Sequence, residues 1–112
     1  MKRGEIWWAL MKEPQGSEPG FRRPVIIVSS NDFNQSLIQT VTVIIVTSNL
    51  RLAGAPGNFK LAKKPSKLSR DSVANVSQVV TLDKSFLTEC VSQLDAKHIN
   101  LLNIGLKLAL SL

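Results

Sequence analysis

The sequence predicts a mainly β fold of the α+β class, a small barrel-like antiparallel sheet with one long C-terminal helix. Three observations predict it. The β-branched runs Val25–Val28 and Val41–Val46 (VTVIIV) are continuous apolar segments with the length of buried strands. Clusters of Gly, Pro, Asn, Asp and Ser separate these runs from their neighbours at short intervals, as in all-β architectures. From Asp95 onward the period changes, and Ile99, Leu102, Leu106 and Leu110 recur at spacings of three and four, the signature of a helix with one apolar face.

At 112 residues the chain has room for a single domain, 1–112, with one core. Hydrophobic residues make up 44% and charged residues 20%, a globular rather than a disordered balance. No apolar run is long enough for a membrane span, and the N-terminal MKRGEIWW lacks the apolar core of a signal peptide, so the expected compartment is the cytoplasm. The net charge of +6 suits a polyanionic partner, either nucleic acid or an acidic protein segment. No Cys/His cluster has metal-ligand spacing, and neither metal nor cofactor is expected. The single Cys90 is expected to be a small packed hydrophobe; the alternative, a reactive thiol, needs a histidine beside it, and the chain has only His98.

In chain order, Gly4–Leu10 is the first β-prone run. Its adjacent Trp7 and Trp8 must point to opposite faces of a strand, one into the core and the other to a rim or partner, unless both are packed. Met11–Phe21 is a Pro/Gly-rich loop. Pro24 has no N–H for a ladder and is expected to open the second strand, Pro24–Ser29, so that the loop ends at Arg23. Ser30–Gln39 carries a turn signal and one helical turn. Val41–Val46 forms the third strand and closes at Thr47 and Ser48. Asn49–Lys67 is irregular, with a short edge strand at Phe59–Ala62. The lysines around that strand, Lys60 among them, either keep an exposed edge from pairing with another chain or touch phosphates. Ser72–Val76 is a strand that Gln78–Thr81 continues after a bend, and Asp83–Ser85 is a turn or one short helical turn. Asp95 caps the terminal helix. Leu101, Ile104, Leu108 and Leu112 make its stripe wider than one face of a small sheet requires, which fits either a dimer contact or a thick core.

The candidate site lies where the first loop meets the second strand. GSEPGFRRP sets Ser17 and Glu18 on the loop and Arg22 and Arg23 at the mouth of a rigid strand. If the two long strands pair as antiparallel neighbours, the start of one and the end of the other share an edge, and Arg23 stands beside Thr47. Metal-free RNA cleavage requires activating a ribose 2′-hydroxyl, aligning it with phosphorus and neutralising the phosphoryl oxygens. One histidine cannot supply the usual pair of imidazoles. Glu18 is then a candidate base, Arg23 a charge stabiliser whose planar fork spans two phosphate oxygens, and the Thr47 or Ser48 hydroxyl a donor to the phosphate. Which group is base and which is acid stays open.

KRGEIWW at Lys2–Trp8, GSE at Gly16–Glu18, RPVIIVS at Arg23–Ser29, the threonine at Thr47, RDSV at Arg70–Val73, and Gln78 with TLDK at Thr81–Lys84 stand in the order of one family. Together they resemble the MazF/PemK toxin endoribonucleases of type II toxin-antitoxin systems. The resemblance implies an SH3-like antiparallel barrel of the CcdB/Kid/MazF type. It implies a sequence-selective, metal-independent cut in single-stranded RNA (mRNA) that leaves a 2′,3′-cyclic phosphate and a 5′-hydroxyl. It also implies a homodimer restrained by a MazE-like antitoxin whose acidic or hydrophobic tail lies across the RNA groove. On the family pattern Arg23 and Thr47 are catalytic and Glu18 a candidate base, while Ser17 and Gln78 contact RNA; Arg22, Ser48 and Lys60 join the RNA-binding set from their place on the rim. Pro19 stands where the family usually has glutamine, and Val80 where it often has arginine. Two other readings share this fold: a CcdB-like toxin that jams DNA gyrase without catalysis, and a family member that binds RNA or antitoxin without cutting.

Overall fold

The two β-branched runs form the middle of one antiparallel sheet. The structure, a computed structural model, describes residues 1–12 and 21–112. Its elements are β1 (Glu5–Lys12), β2 (Phe21–Ile27), α1 (Asn31–Asn34), β3 (Thr40–Thr47), β4 (Phe59–Leu61), α2 (Lys63–Ser66), β5 (Ser72–Asp83), β6 (Leu87–Gln93) and α3 (Ala96–Leu110). The six strands run in the order β4-β5-β3-β2-β1-β6. The sheet curls into a half-barrel with β4 and β6 at its two edges, the antiparallel barrel type expected.

Alternation along the strands sorts the apolar side chains into two cores. Ile6, Ile26, Ile44, Val46, Phe59, Leu61, Ala74 and Val76 face the terminal helix and meet Leu102 and Leu106 there. Ala9, Val25, Ile27, Val43 and Ile45 point to the opposite face, where the far end of β5 and the start of β6 fold over them with Leu82 and Leu87. Burying Leu102 and Leu106 stabilises the helix-to-sheet packing by about 1.5–3 kcal/mol each. The helix begins as predicted: the Asp95 carboxylate accepts the His98 N–H at 2.8 Å. Gly105 lets it lie close to the 49–58 segment, because a Cβ there would sit 2.9 Å from Val76 Cγ1 and run into the Gly57 carbonyl.

Several expectations need correction. Pro24 does not open β2, which starts at Phe21. At Pro24 the strand pairs with β1 opposite Trp8, whereas its ladder to β3 spans only Val25–Ile27, so the missing N–H falls where pairing is one-sided. Met11 and Lys12 belong to β1 rather than to a loop. The stretch 87–93, left unassigned by the sequence reading, is the edge strand β6, whose apolar residues are too interrupted by Thr88, Glu89, Ser92 and Gln93 to signal a strand. Cys90 is exposed rather than packed, on the edge strand β6. Leu110 is 51% exposed, so the packed stripe of α3 stops at Leu106. Phe59–Leu61 is the predicted edge strand, and the following Lys63–Ser66, expected to be irregular, makes one helical turn.

Candidate active site

The β2–β3 register pairs Val25 with Ile45. That is the last β2–β3 pair toward the rim, and Arg23 and Thr47 each lie two positions beyond it on their strands. Arg23 stands opposite Ala9, Thr47 opposite Val73, and Val73 opposite Lys60. Directly opposed residues in antiparallel strands project to one face. Thr47 and Lys60 therefore share a cross-strand row on the face turned away from α3, and Arg23, beyond the last β2–β3 pair, projects to the same face by strand alternation. That face brings together three of the residues singled out in the sequence although they lie on three different strands.

Thr47 is buried, and its Oγ1 accepts the Asn49 N–H at 3.1 Å. One oxygen lone pair is thus occupied by the turn that ends β3, and the hydroxyl proton is left to donate outward. Arg23 is half-buried, and Lys60 and Ser48 are exposed. Among the described residues neither Arg23 nor Lys60 is in an ion pair. Arg22 alternates to the other face, where its guanidinium lies 4.8 Å from the Trp8 ring centre and Nη2 is 3.4 Å from Glu89 Oε1. Trp8 is thus the rim tryptophan, and Trp7 packs against the second core. Ser17 and Glu18 lie outside the described residues.

Gln78 sits in a bulge of β5. Ile44 pairs with Val79 and Ile45 with Asn75, so Val76, Ser77 and Gln78 loop out between them. The Gln78 side chain accepts a 2.8 Å hydrogen bond from Asn75 Nδ2. Asn75 Oδ1 in turn accepts from Asn58 Nδ2 at 3.3 Å and from Ser77 Oγ at 2.8 Å. Asn75 is buried on the same face as the row, two residues along β5 from Val73. The sequence reading missed this network. Its one signal was a polar Asn75 inside the otherwise small and apolar SVANV.

The titratable groups elsewhere do not compete for the role. His98 Nδ1 is 2.7 Å from Asp95 Oδ1 at the start of α3, and its ring tilts against Phe59 on the helix side of the sheet. Burial pushes the Cys90 thiol above its usual value and the Glu5 carboxylate pushes it further, which works against a thiolate nucleophile. Among the described residues no three His, Cys, Asp or Glu side chains are grouped to hold a metal ion.

Residues 2–110 match the family described as PemK-like, MazF-like toxin of type II toxin-antitoxin system. The chain belongs to this family. It is 41% identical over 112 residues to the Mycobacterium bovis protein named Endoribonuclease MazF2, covering 100% of this chain and 98% of that one. It is 35% identical to Endoribonuclease MazF of Staphylococcus saprophyticus, covering 100% and 92%. Among solved structures, this PemK/MazF-family toxin shares its fold with an endoribonuclease in complex with its cognate antitoxin from a mycobacterial species. That match has a TM-score of 0.80 at 23% identity and covers 100% of this chain and 96% of the other. The MazE-MazF complex of Deinococcus radiodurans gives a TM-score of 0.81 at 21% identity, covering 100% and 96%.

Proposed function

We propose that this endoribonuclease of the PemK/MazF toxin family cuts single-stranded RNA, mRNA included, at selected sequences and without a metal. The ribose 2′-oxygen attacks the adjacent phosphorus, the bond to the 5′-oxygen breaks, and the products are a 2′,3′-cyclic phosphate and a 5′-hydroxyl. The observation that carries this reading is the one sheet face that Arg23, Thr47 and Lys60 share near the rim.

Arg23 spans two phosphoryl oxygens with its planar fork and offsets the charge that grows on them. Thr47 donates its hydroxyl proton to the same phosphate, its oxygen being held by the Asn49 N–H. Lys60, two strands further along, takes a flanking phosphate. Glu18, with Ser17 on the 13–20 segment, takes the proton from the 2′-hydroxyl, and a proton must reach the departing 5′-oxygen. Gln78, Ser48 and Arg22 contact the RNA around the cut.

The toxin domain spans 1–112 and acts in the cytoplasm; among the described residues no helix is long and apolar enough to cross a membrane. It works as a homodimer. Ile104, Leu108 and Leu110 on α3 and Phe33 on α1 are all more than half exposed, and Phe33 and Leu110 line an open apolar groove of about 520 Å³ with Val28, Val79 and Leu106. A continuous apolar surface of this kind is typical of an interface. A MazE-like antitoxin restrains the toxin, as the net charge of +6 favours for an acidic tail.

Digesting a long mixed RNA and sequencing the new 5′ ends tests the reading. A short recurrent sequence at ends that carry a 5′-hydroxyl is expected, and replacing the 2′-hydroxyl at the cut with hydrogen should abolish cleavage. Unaltered RNA beside inhibited gyrase supercoiling would overturn it.

A further inference from the structure

A second polar concavity opens at the same rim but on the helix side of the sheet. Its volume is about 220 Å³, and Arg22, Arg23, Arg70, Ser48, Ser69 and Ser72 line it, with Trp8 and Leu68 as apolar walls. Among the described residues no carboxylate lines it. The loop that carries Arg70 is pinned from both sides. Ser72 Oγ donates to the Arg70 carbonyl at 3.0 Å, and the neighbouring Asp71 carboxylate accepts the Lys63 N–H at 2.8 Å. The second bond engages the Asp71 carboxylate at the start of α2. Arg22 is set over the Trp8 ring and tethered to Glu89, so its fork is ordered before any ligand arrives.

We propose that this cavity is a phosphate subsite, taking the RNA backbone phosphate next to the one that is cut. The proposal rests on the cleavage reading for the identity of its ligand. Three guanidiniums with hydroxyls suit an oxyanion bound by charge-assisted hydrogen bonds. Arg23 projects to the face of Thr47 and Lys60 and also lines the cavity, so the two sites adjoin at one residue. Thr47 and Ser48 are consecutive on β3 and point to opposite faces, as do Arg23 and Arg22 on β2. An RNA strand crossing the rim meets the row on one side and the cavity on the other. The subsite fixes the strand's register across the edge.

The test uses the full chain and an RNA oligonucleotide with a 2′-O-methyl group at the cut position, which binds without being cleaved. Affinity is measured by fluorescence anisotropy over a range of salt concentrations. Arg70→Ala is expected to weaken binding and to lower the slope of log affinity against log salt by about 0.7, the value for one phosphate contact on a single strand. Arg70→Lys should keep the slope. A methylphosphonate at the linkage next to the cut should weaken binding to the unaltered protein and leave Arg70→Ala unaffected. An unchanged slope, or an equal methylphosphonate effect in both proteins, overturns the subsite. Ser69→Glu gives a second reading by placing a like charge in the cavity: binding must fall, and unchanged affinity overturns the proposal. Cleavage of unmodified RNA with an unchanged Arg70→Ala slope would sink the subsite alone. A lowered slope with no cleavage of any RNA would sink the cleavage reading and leave the subsite standing.

Discussion

Arg23 on β2 and Thr47 on β3 project to the same face of the sheet, each two positions beyond the Val25–Ile45 pair. Neighbouring strands lie about 4.8 Å apart, so a guanidinium and a hydroxyl at these positions can meet a single phosphate. Thr47→Val keeps the shape and removes the hydroxyl. It should lower the cleavage rate while costing about 1 kcal/mol or less in stability, because the exposed Asn49 N–H can turn to water. Thr47→Ser should retain most of the rate. Single-turnover kinetics beside urea denaturation separates the two effects.

Arg23 is assigned an electrostatic role that depends on its planar fork. A lysine at this position keeps the charge but offers a point donor instead of two parallel ones. Arg23→Lys should therefore fall in kcat by about 10²–10³, the usual loss for one preorganised donor, with the fold intact by circular dichroism. Near-normal turnover would show that charge alone suffices.

The terminal helix should carry an acid limb in the stability profile. Backbone hydrogen bonding from His98, followed by the His98 side chain, holds the Asp95 carboxyl below its ordinary value. A carboxyl depressed in the folded state adds stability that is fully present above its unfolded pKa near 3.9 and is lost as pH falls through the lower folded value. Asp95→Ala should thus lower the melting temperature at pH 7 and flatten the loss seen on acidification below about pH 4. Thermal melts from pH 7 down to pH 2.5 check both the sign and the window.

Gly105 fixes how closely α3 approaches the 49–58 segment. A methyl group at this position meets the Gly57 carbonyl and Val76 Cγ1, and both belong to well-packed surroundings. Gly105→Ala should destabilise by about 1–3 kcal/mol despite the better helix propensity of alanine. Denaturant midpoints at constant m-value would measure it.

The strands that bury both faces were legible in the sequence, because β-branched runs such as Val41–Val46 leave no alternative period. The Asp95 cap and the three-four spacing from Ile99 to Leu106 were equally plain. β6 was not, since an edge strand needs apolar residues only where it touches β1, and Leu87–Gln93 alternates too weakly to stand out. For the same reason Cys90, typically a buried residue type, is found in the open. Within the site, Arg23 and Thr47 followed from antiparallel pairing of consecutive strands. Lys60 joined the row of Thr47 only through Val73, a β4–β5 pairing that sequence spacing does not reveal. The Asn58–Asn75–Gln78 network depends on a bulge whose place is set by the register between β3 and β5, which no local signal encodes.

The central claim is that Arg23 and Thr47 act on one phosphate, and a double-mutant cycle tests it most directly. Single-turnover cleavage rates would be measured for the unaltered protein, Arg23→Ala, Thr47→Val and the combined variant. Groups that grip the same phosphate are coupled, so the double variant should be no more than a few-fold slower than the worse single one. Losses that multiply in full would mean that the two side chains act independently, and the shared site would be wrong.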